Sequence, residues 1–174
     1  MKKWVVVALV AVLGAGLYVG HVLATPGSGL TTTIYAKSLF DPVKLKGFAQ
    51  LPDMQQRKFH WGNFWKARIK THGLSDIYVV DNKLTPGGTT GWHSHPGPSL
   101  VFVVAGTVTN YVGSDPRCKG KSYSAGSGFT DPGGDSVHML RNEGTVTAET
   151  IAVQFLPTGA DRRIDMAEPG NCHI

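Results

Sequence analysis

The sequence predicts an all-β domain, and three observations support that prediction. Short runs rich in Val, Ile, Thr and aromatic residues recur along the chain, as expected of strands. Gly and Pro, 22 and 10 of the 174 residues, interrupt nearly every gap between those runs. No window of helical length has an apolar stripe with a 3.6-residue period. Many short strands separated by turn signals are typical of a β-sandwich or β-barrel.

The strand signals follow one another at short intervals. They fall at residues 31–36, 58–70, 76–84, 100–104, 107–112, 129, 137–140 and 145–156. Residues 48–56 are the least patterned part of the chain behind the leader. Residues 25–47 are predicted to form a linker and an N-terminal arm, and residues 48–174 to form the domain.

The first 24 residues predict an export signal. Two lysines precede an apolar run over residues 4–18, and Val22-Leu23-Ala24 ends the segment with small residues where a signal peptidase needs them. Cleavage after Ala24 would give a secreted or periplasmic protein that begins at Thr25. The alternative is an uncleaved anchor, since about 20 mostly apolar residues can span a bilayer. A membrane is a predicted partner only in that second case.

Composition and charge exclude one class of function. With 41% hydrophobic and 17% charged residues, the chain has the composition of one globular domain behind its leader. Two of the 17 basic residues lie in the leader, which leaves 15 against 12 acidic residues and a net charge of +3. That charge is small and scattered, so no nucleic-acid partner is predicted.

A His-x-His pair stands at the centre of the functional prediction. Side chains alternate between the two faces of a strand, so His93 and His95 would point the same way and converge on one point. The run at residues 100–104 favours a strand nearby. Two imidazoles held in this way are typical metal ligands. The other interpretation is a pair of ordinary surface histidines.

Two blocks of the sequence together resemble the conserved motifs of the cupin superfamily. The first runs from Gly87 through the His pair to Gly106, and the second covers residues 126–142 and contains His138. Ser99 stands where the family usually has a glutamate, and three residues instead of two separate Gly134 from His138. The resemblance covers about residues 83–157. It implies a single-domain cupin jelly-roll β-barrel.

The resemblance also implies a metal site formed by His93, His95 and His138, with Ser99 beside it. Imidazole suits several divalent transition metals, so Fe, Zn, Mn, Ni and Cu are not distinguished. Without the glutamate, three neutral nitrogens would leave the charge of the ion uncompensated by protein ligands. The predicted function is an oxygen-dependent or hydrolytic metalloenzyme acting on a small molecule. The alternative is a non-catalytic cupin that binds a metal, a sugar or another small ligand, and either form is compatible with a homodimer.

The two cysteines, Cys118 and Cys172, predict a disulfide because an even count in an exported chain favours pairing. Two free thiols, or a metal site that includes His173, are the alternatives. His60 and His72 belong to no motif and are predicted to be surface residues, as is His173.

Five further residues near the motifs are candidates for a role at the site or in the fold. Asp131 and Asp135 flank a Pro-Gly-Gly turn and either shape that turn or orient an imidazole. Tyr111 and Tyr123 are candidate acid/base groups of a metal-free, epimerase-like cupin. Trp92 would face away from His93 on a regular strand, which predicts a role in the core.

Overall fold

The computed structural model describes residues 24–50 and 64–174. The predicted leader, except for Ala24, lies outside the described residues. So do His60 and the first part of the strand predicted for residues 58–70.

Every regular element among the described residues is a β-strand. The strands are β1 (Ser28–Phe40), β2 (Lys44–Gln50), β3 (Phe64–Lys70), β4 (Ser75–Thr89), β5 (His93–Ser94), β6 (Ser99–Ala105), β7 (Thr107–Val112), β8 (Lys121–Ser124), β9 (Gly128–Asp131), β10 (His138–Arg141), β11 (Ala148–Pro157) and β12 (Ile164–Asp165). The all-β prediction is therefore confirmed. Within these residues no helix is long and apolar enough to cross a membrane.

Ten of the strands form one antiparallel sheet that curls into a nearly closed barrel. The order along its main path is β12, β5, β10, β4, β11, β6 and β9, while β7 pairs with β10 and β8. The long strand β4 pairs along its length with β1 on one side and β11 on the other. The β-branched run at residues 31–36 thus lies within a strand of the main sheet.

The barrel interior is apolar at one end. Leu84, Val103, Val108 and Ala148 form a cluster there, and Phe129 is among the side chains packed against it. Burying a large aliphatic side chain of this kind contributes about 1.5–3 kcal/mol relative to leaving it exposed. The polar residues of the candidate site, described below, lie nearer the C-terminal end of β11.

The strands β2 and β3 form a separate antiparallel ribbon. Their residues pair only with each other, from Lys44 opposite Lys70 to Gln50 opposite Phe64. At the base of the ribbon, the amide of Thr71 donates to the carbonyl of Val43 over 3.0 Å.

A disulfide between Cys118 and Cys172 attaches the C-terminal tail to the loop after β7, as predicted. The two Cα atoms are 5.1 Å apart. Cys172 is fully buried in a cluster with Trp92 and Met139. Because Trp92 precedes His93, the disulfide anchors the layer that supports the first histidine of the motif.

Candidate metal centre

The predicted histidines are brought together by two short strands. His93 opens β5, His95 follows it directly, and His138 opens β10. His138 is the cross-strand partner of His93, so their side chains project to the same side of the sheet. The departure in spacing after Gly134 therefore does not remove His138 from the cluster.

A glycine turn delivers β5 to this position. Gly91 has a φ of 67°, in the left-handed region that favours glycine. A Cβ atom there would lie 2.0 Å from the carbonyl oxygen of Thr25. Only glycine lets the chain pass this close to the N-terminal segment before it turns into the first histidine.

The three imidazoles form a compact, buried cluster. Their exposed fractions are 4% for His93, 6% for His95 and 6% for His138. Ring centroids lie between 4.4 and 5.5 Å apart, and one ligand atom of each residue lies within 4.8 Å of the others. Three buried imidazoles this close together form a group that could hold a metal ion.

Each ring is oriented by an oxygen acceptor at Nδ1. His93 Nδ1 lies 2.8 Å from the carbonyl of Gly91, and His95 Nδ1 lies 2.7 Å from the carbonyl of Arg162. His138 Nδ1 lies 3.2 Å from Asp131 Oδ1. A carbonyl can only accept, so the proton of His93 and His95 lies on Nδ1 and the Nε2 lone pair is available. This arrangement is the usual one for histidines that bind metals.

Burial favours the neutral form of His93 and His95. It is the main cause that lowers the pKa of His93 far below its ordinary value, with His138, Arg163 and His95 adding to the effect. Burial also lowers the pKa of His95 to about 4, although the hydrogen bond to the Arg162 carbonyl opposes this. Imidazole must be neutral to coordinate a metal, so the electrostatics of the site fit that role.

Asp131 supports His138 from the next strand. Burial, the largest single cause, raises the pKa of Asp131, but His138, the Gly133 amide and His95 together lower it by more, so that the pKa is lowered overall. The amide of Gly133 also donates to Oδ1 over 3.1 Å, whereas Oδ2 is buried without a partner. Asp131 therefore has the contacts of both interpretations, because the same Oδ1 accepts from the turn at Gly133 and lies beside His138 Nδ1. Asp135 is exposed in the same loop.

Ser99 faces the histidines despite the two prolines before it. It is 2% exposed, and its Oγ lies 3.4 Å from Gln154 Nε2. Ser99 is also the cross-strand partner of Asp131 in the pairing of β6 with β9. A neutral hydroxyl and a carboxylate therefore stand side by side next to the cluster.

The sequence prediction missed two polar residues of the site, Gln154 and Arg162. Gln154 is 2% exposed, and its Nε2 lies 3.4 and 3.5 Å from the two ring nitrogens of His95. Its Oε1 accepts from Arg162 Nη1 over 3.2 Å. Burial, and then the neighbouring Arg163, lower the pKa of Arg162 from its usual value. The glutamine that interrupts the apolar run of residues 151–156 is the one signal for Gln154, although periodicity would place it outward, and no pattern marks Arg162.

These residues line a cavity of about 60 Å³ in the barrel. Its wall contains both polar and apolar side chains, and Asp131 is the one carboxylate among the described residues that line it. A water needs roughly 10–15 Å³ by a comparable measure, so the space fits a few waters or one very small molecule. A second cavity, of about 570 Å³, lies between the barrel and the base of the ribbon, and Ser99 borders both.

The other candidate residues lie away from the cluster. The hydroxyl of Tyr111 donates to Glu143 over 2.5 Å, and burial together with Glu143 raises the pKa of Tyr111 to about 12. Tyr123 stacks against Phe129. Neither tyrosine lines the cavity that holds the histidines. Trp92 packs in the core as predicted, and His72 and His173 are surface residues, as predicted.

The fold and the site together define a class: a small antiparallel β-barrel with three buried imidazoles projecting into its interior. Residues 82–154 match the family model described as a cupin domain. The matched segment contains β5, β6 and β10 and all three histidines, and in this part the chain is similar to cupin domains.

Solved structures similar to this chain include several cupins. An uncharacterized conserved protein with a double-stranded β-helix domain from Klebsiella pneumoniae is 22% identical, covering 52% of this chain and 75% of its own, with a TM-score of 0.44. The polyketide cyclase RemF from Streptomyces resistomycificus is 17% identical, over 55% and 65% of the two chains, with a TM-score of 0.44. The oxalate decarboxylase of Lactobacillus farciminis is 22% identical, over 52% and 26%, with a TM-score of 0.45. No curated protein matches the chain.

Proposed function

We propose that this protein is an exported metal-binding cupin in which His93, His95 and His138 hold a divalent transition metal. The observation that carries the proposal is the set of three buried imidazoles whose Nδ1 atoms all face oxygen acceptors. That arrangement leaves Nε2 of the rings for an ion. The donor set of three neutral nitrogens is compatible with Fe, Zn, Mn, Ni or Cu.

We further propose that the centre is a metalloenzyme acting on a small anionic molecule, by oxygen-dependent or hydrolytic chemistry. A bound metal would supply Lewis acidity and activate a water or another small ligand. Arg162 supports an anionic substrate, because its guanidinium is held at the cavity wall by Gln154. The cavity of about 60 Å³ limits that substrate to a few heavy atoms unless the wall moves.

Export is part of the proposal, with the mature chain beginning at Thr25. The Cys118–Cys172 disulfide supports it, because such bonds persist in oxidising compartments outside the cytoplasm. N-terminal sequencing of the exported protein should return Thr25, whereas Met1 in a membrane fraction would favour the uncleaved anchor. A homodimer remains a prediction that the mass of the protein in solution would test.

The second candidate function is a non-catalytic binding protein. The cavity of about 570 Å³ favours it, because this space is large enough for a drug-sized or sugar-sized ligand and lies beside the site. Pro98, Leu100 and Phe155 contribute its apolar wall, and Arg68 and Lys70 border it from the ribbon. A binding protein would use the metal centre to fix one end of such a ligand.

Metal analysis of the purified full chain tests the proposed site. We expect close to one equivalent of transition metal in the native protein and loss of most of it in His138→Ala. His72→Ala is the matched control, because His72 is exposed and outside the cluster. Circular dichroism should show an unchanged β-fold in both variants. Full metal content in His138→Ala would refute the three-histidine site.

Turnover separates the two candidate functions. The metal-loaded protein is incubated with small carboxylates and with simple esters, with and without oxygen, and the products are followed by mass spectrometry. A metalloenzyme should convert at least one compound, and Arg162→Gln should raise KM for an anionic substrate. Thermal stabilisation by a ligand without any product would favour the binding protein instead.

A further inference from the structure

The ribbon formed by β2 and β3 has two chemically different faces. Directly opposed residues of an antiparallel pair project to the same side, and successive pairs alternate between sides. The register therefore collects the cations Lys44, Lys46, Lys66, Arg68 and Lys70 on one face. The opposite face is apolar, and its largest members are Leu45, Ile69 and Trp65. Trp65 lies across Gly47, where a Cβ atom would meet its ring at 2.9 Å.

The basic face has no counter-charge within the part of the chain that the structure describes. Lys44 lies opposite Lys70 and Lys46 lies opposite Arg68, and like charges in directly opposed positions destabilise a strand pair. All five cations are exposed. The ion pairs among the described residues involve other basic groups. An anionic partner would relieve this repulsion.

The distal end of the ribbon carries exposed aromatic rings. Phe48 and Phe64 stack with centroids 5.3 Å apart and are 64% and 50% exposed. Trp65, on the other face at the same end, is 53% exposed. Rings of this size dominate the energetics of a contact when they leave water, so their exposure in a cluster marks a contact surface.

We infer that the β2–β3 ribbon binds the surface of an anionic lipid bilayer. Basic side chains next to exposed aromatic rings are the combination that suits a charged headgroup layer above an apolar phase. A soluble polyanion would neutralise the lysines but leave the rings in water. A second copy of this chain is disfavoured, because two basic faces of the same kind would repel each other. A two-stranded ribbon is also marginal in water, so a bilayer would stabilise its structure.

Vesicle binding by the full chain tests this inference independently of any metal. The protein is mixed with vesicles of phosphatidylcholine, or of equal parts phosphatidylcholine and phosphatidylglycerol, and bound protein is measured by sedimentation. The ratio of the two affinities is the measured quantity, because the apolar residues 4–18 would insert into either membrane. We expect a ratio well above one that falls as salt is added.

Matched variants test whether the preference for anionic vesicles depends on the ribbon. Replacing Lys44, Lys46 and Lys66 with Gln should lower the ratio about 100-fold, since each cation near an anionic surface contributes about fivefold. The same three changed to Arg should keep the ratio. The control replaces three exposed cations of the barrel, Arg117, Lys119 and Lys121, with Gln. This control should keep the ratio within about twofold of the native value. Equal losses in the two sets of Gln variants would overturn the inference.

The aromatic end distinguishes the lipid surface from other anionic partners. Trp65→Ser should weaken binding to anionic vesicles while leaving binding to dextran sulfate, a soluble polyanion, unchanged. The ribbon would be a site for anionic polymers if Trp65→Ser left vesicle binding unchanged and the Gln variant lost binding to vesicles and to dextran sulfate equally. A doubled mass in solution that the Gln variant abolished would instead identify the ribbon as a contact between two copies.

Discussion

Asp131→Asn is predicted to weaken metal binding about tenfold while leaving the barrel folded. The carboxylate holds His138 Nδ1 at 3.2 Å, and the loss of a partner of this kind typically costs 10–100-fold in metal affinity. The contact is longer than the 2.7–2.9 Å usual for charge-assisted bonds, so the lower end of that range applies. Tenfold corresponds to about 1.4 kcal/mol. Asparagine keeps Oδ1 as an acceptor for the Gly133 amide and for His138 Nδ1, so the turn should persist and the variant tests the negative charge of the carboxylate.

The assay is competition with a fluorescent chelator, using the same metal for each protein. Asp135→Asn is the control, because it makes the same change of charge in the same loop at an exposed position. We expect native affinity in this control. Unchanged affinity in Asp131→Asn would refute the role assigned to the carboxylate. Equal weakening in both variants would show that only net charge matters.

Ser99→Glu provides the complementary test. Ser99 lies opposite Asp131 in the pairing of β6 with β9, so a glutamate there would place a new carboxylate on the same side of the sheet. In the Asp131→Asn background it should recover most of the lost metal affinity. In the native background it should tighten metal binding and weaken azide binding, because the net charge at the ion would fall. A double variant that remained as weak as Asp131→Asn would show that position 99 does not reach the ion.

Two further predictions concern stability. Metal-free protein should lose about 2 kcal/mol of its free energy of unfolding between pH 7 and pH 5 through His95 alone. The reason is that His95 binds a proton below about pH 6.5 in the unfolded chain, but only below about pH 4 in the folded protein. Urea unfolding in the presence of a chelator measures this loss, and His95→Gln should reduce it. Cys118→Ala should lower the free energy of unfolding by about 4 kcal/mol in the chain-entropy model, because the disulfide closes a sequence separation of 54 residues. Unfolding that was insensitive to reductant would contradict this prediction.

The fold class and the pairing of His93 with His95 were predictable from local sequence pattern, whereas the place of His138 beside them was implied by the resemblance to the cupin motifs. Strand runs, turn residues and the His-x-His spacing are all readable from the sequence. Pro96 and Pro98 do not turn Ser99 away from the histidines, because Ser99 is buried and lines the same cavity. Gly133 has a φ of 70°, and a Cβ there would lie 2.2 Å from the carbonyl of Gly97, so the two loops pack backbone against backbone. Such a contact between distant loops leaves no periodic signal.

The polar wall of the site was not predictable, because the inward face of β11 inverts the usual pattern. Its buried residues include the polar Thr150 and Gln154 beside Ala148, Ala152 and Leu156, whereas Ile151, Val153 and Phe155, which alternate with them, are partly exposed on the outer face. Hydrophobic periodicity alone would assign the larger residues to the core. Likewise the loop that carries Arg162 has no strand signal, and its position depends on the closure of the whole barrel.

The small and polar inner face of β11 explains how a small barrel can contain a cavity beside the histidines. Small and polar residues on the inner side of β11 leave a cavity that larger apolar side chains would fill, as they do around Leu84 at the other end. Burying Gln154 is tolerable only because its amide interacts with Arg162, Ser99 and His95. Gln154→Leu should therefore leave Arg162 without its buried partner while filling the cavity. We expect near-native stability but weaker binding of small anions to the metal-loaded protein, measured by azide titration. Native azide affinity in Gln154→Leu would show that the Gln154–Arg162 pair plays no part in anion binding.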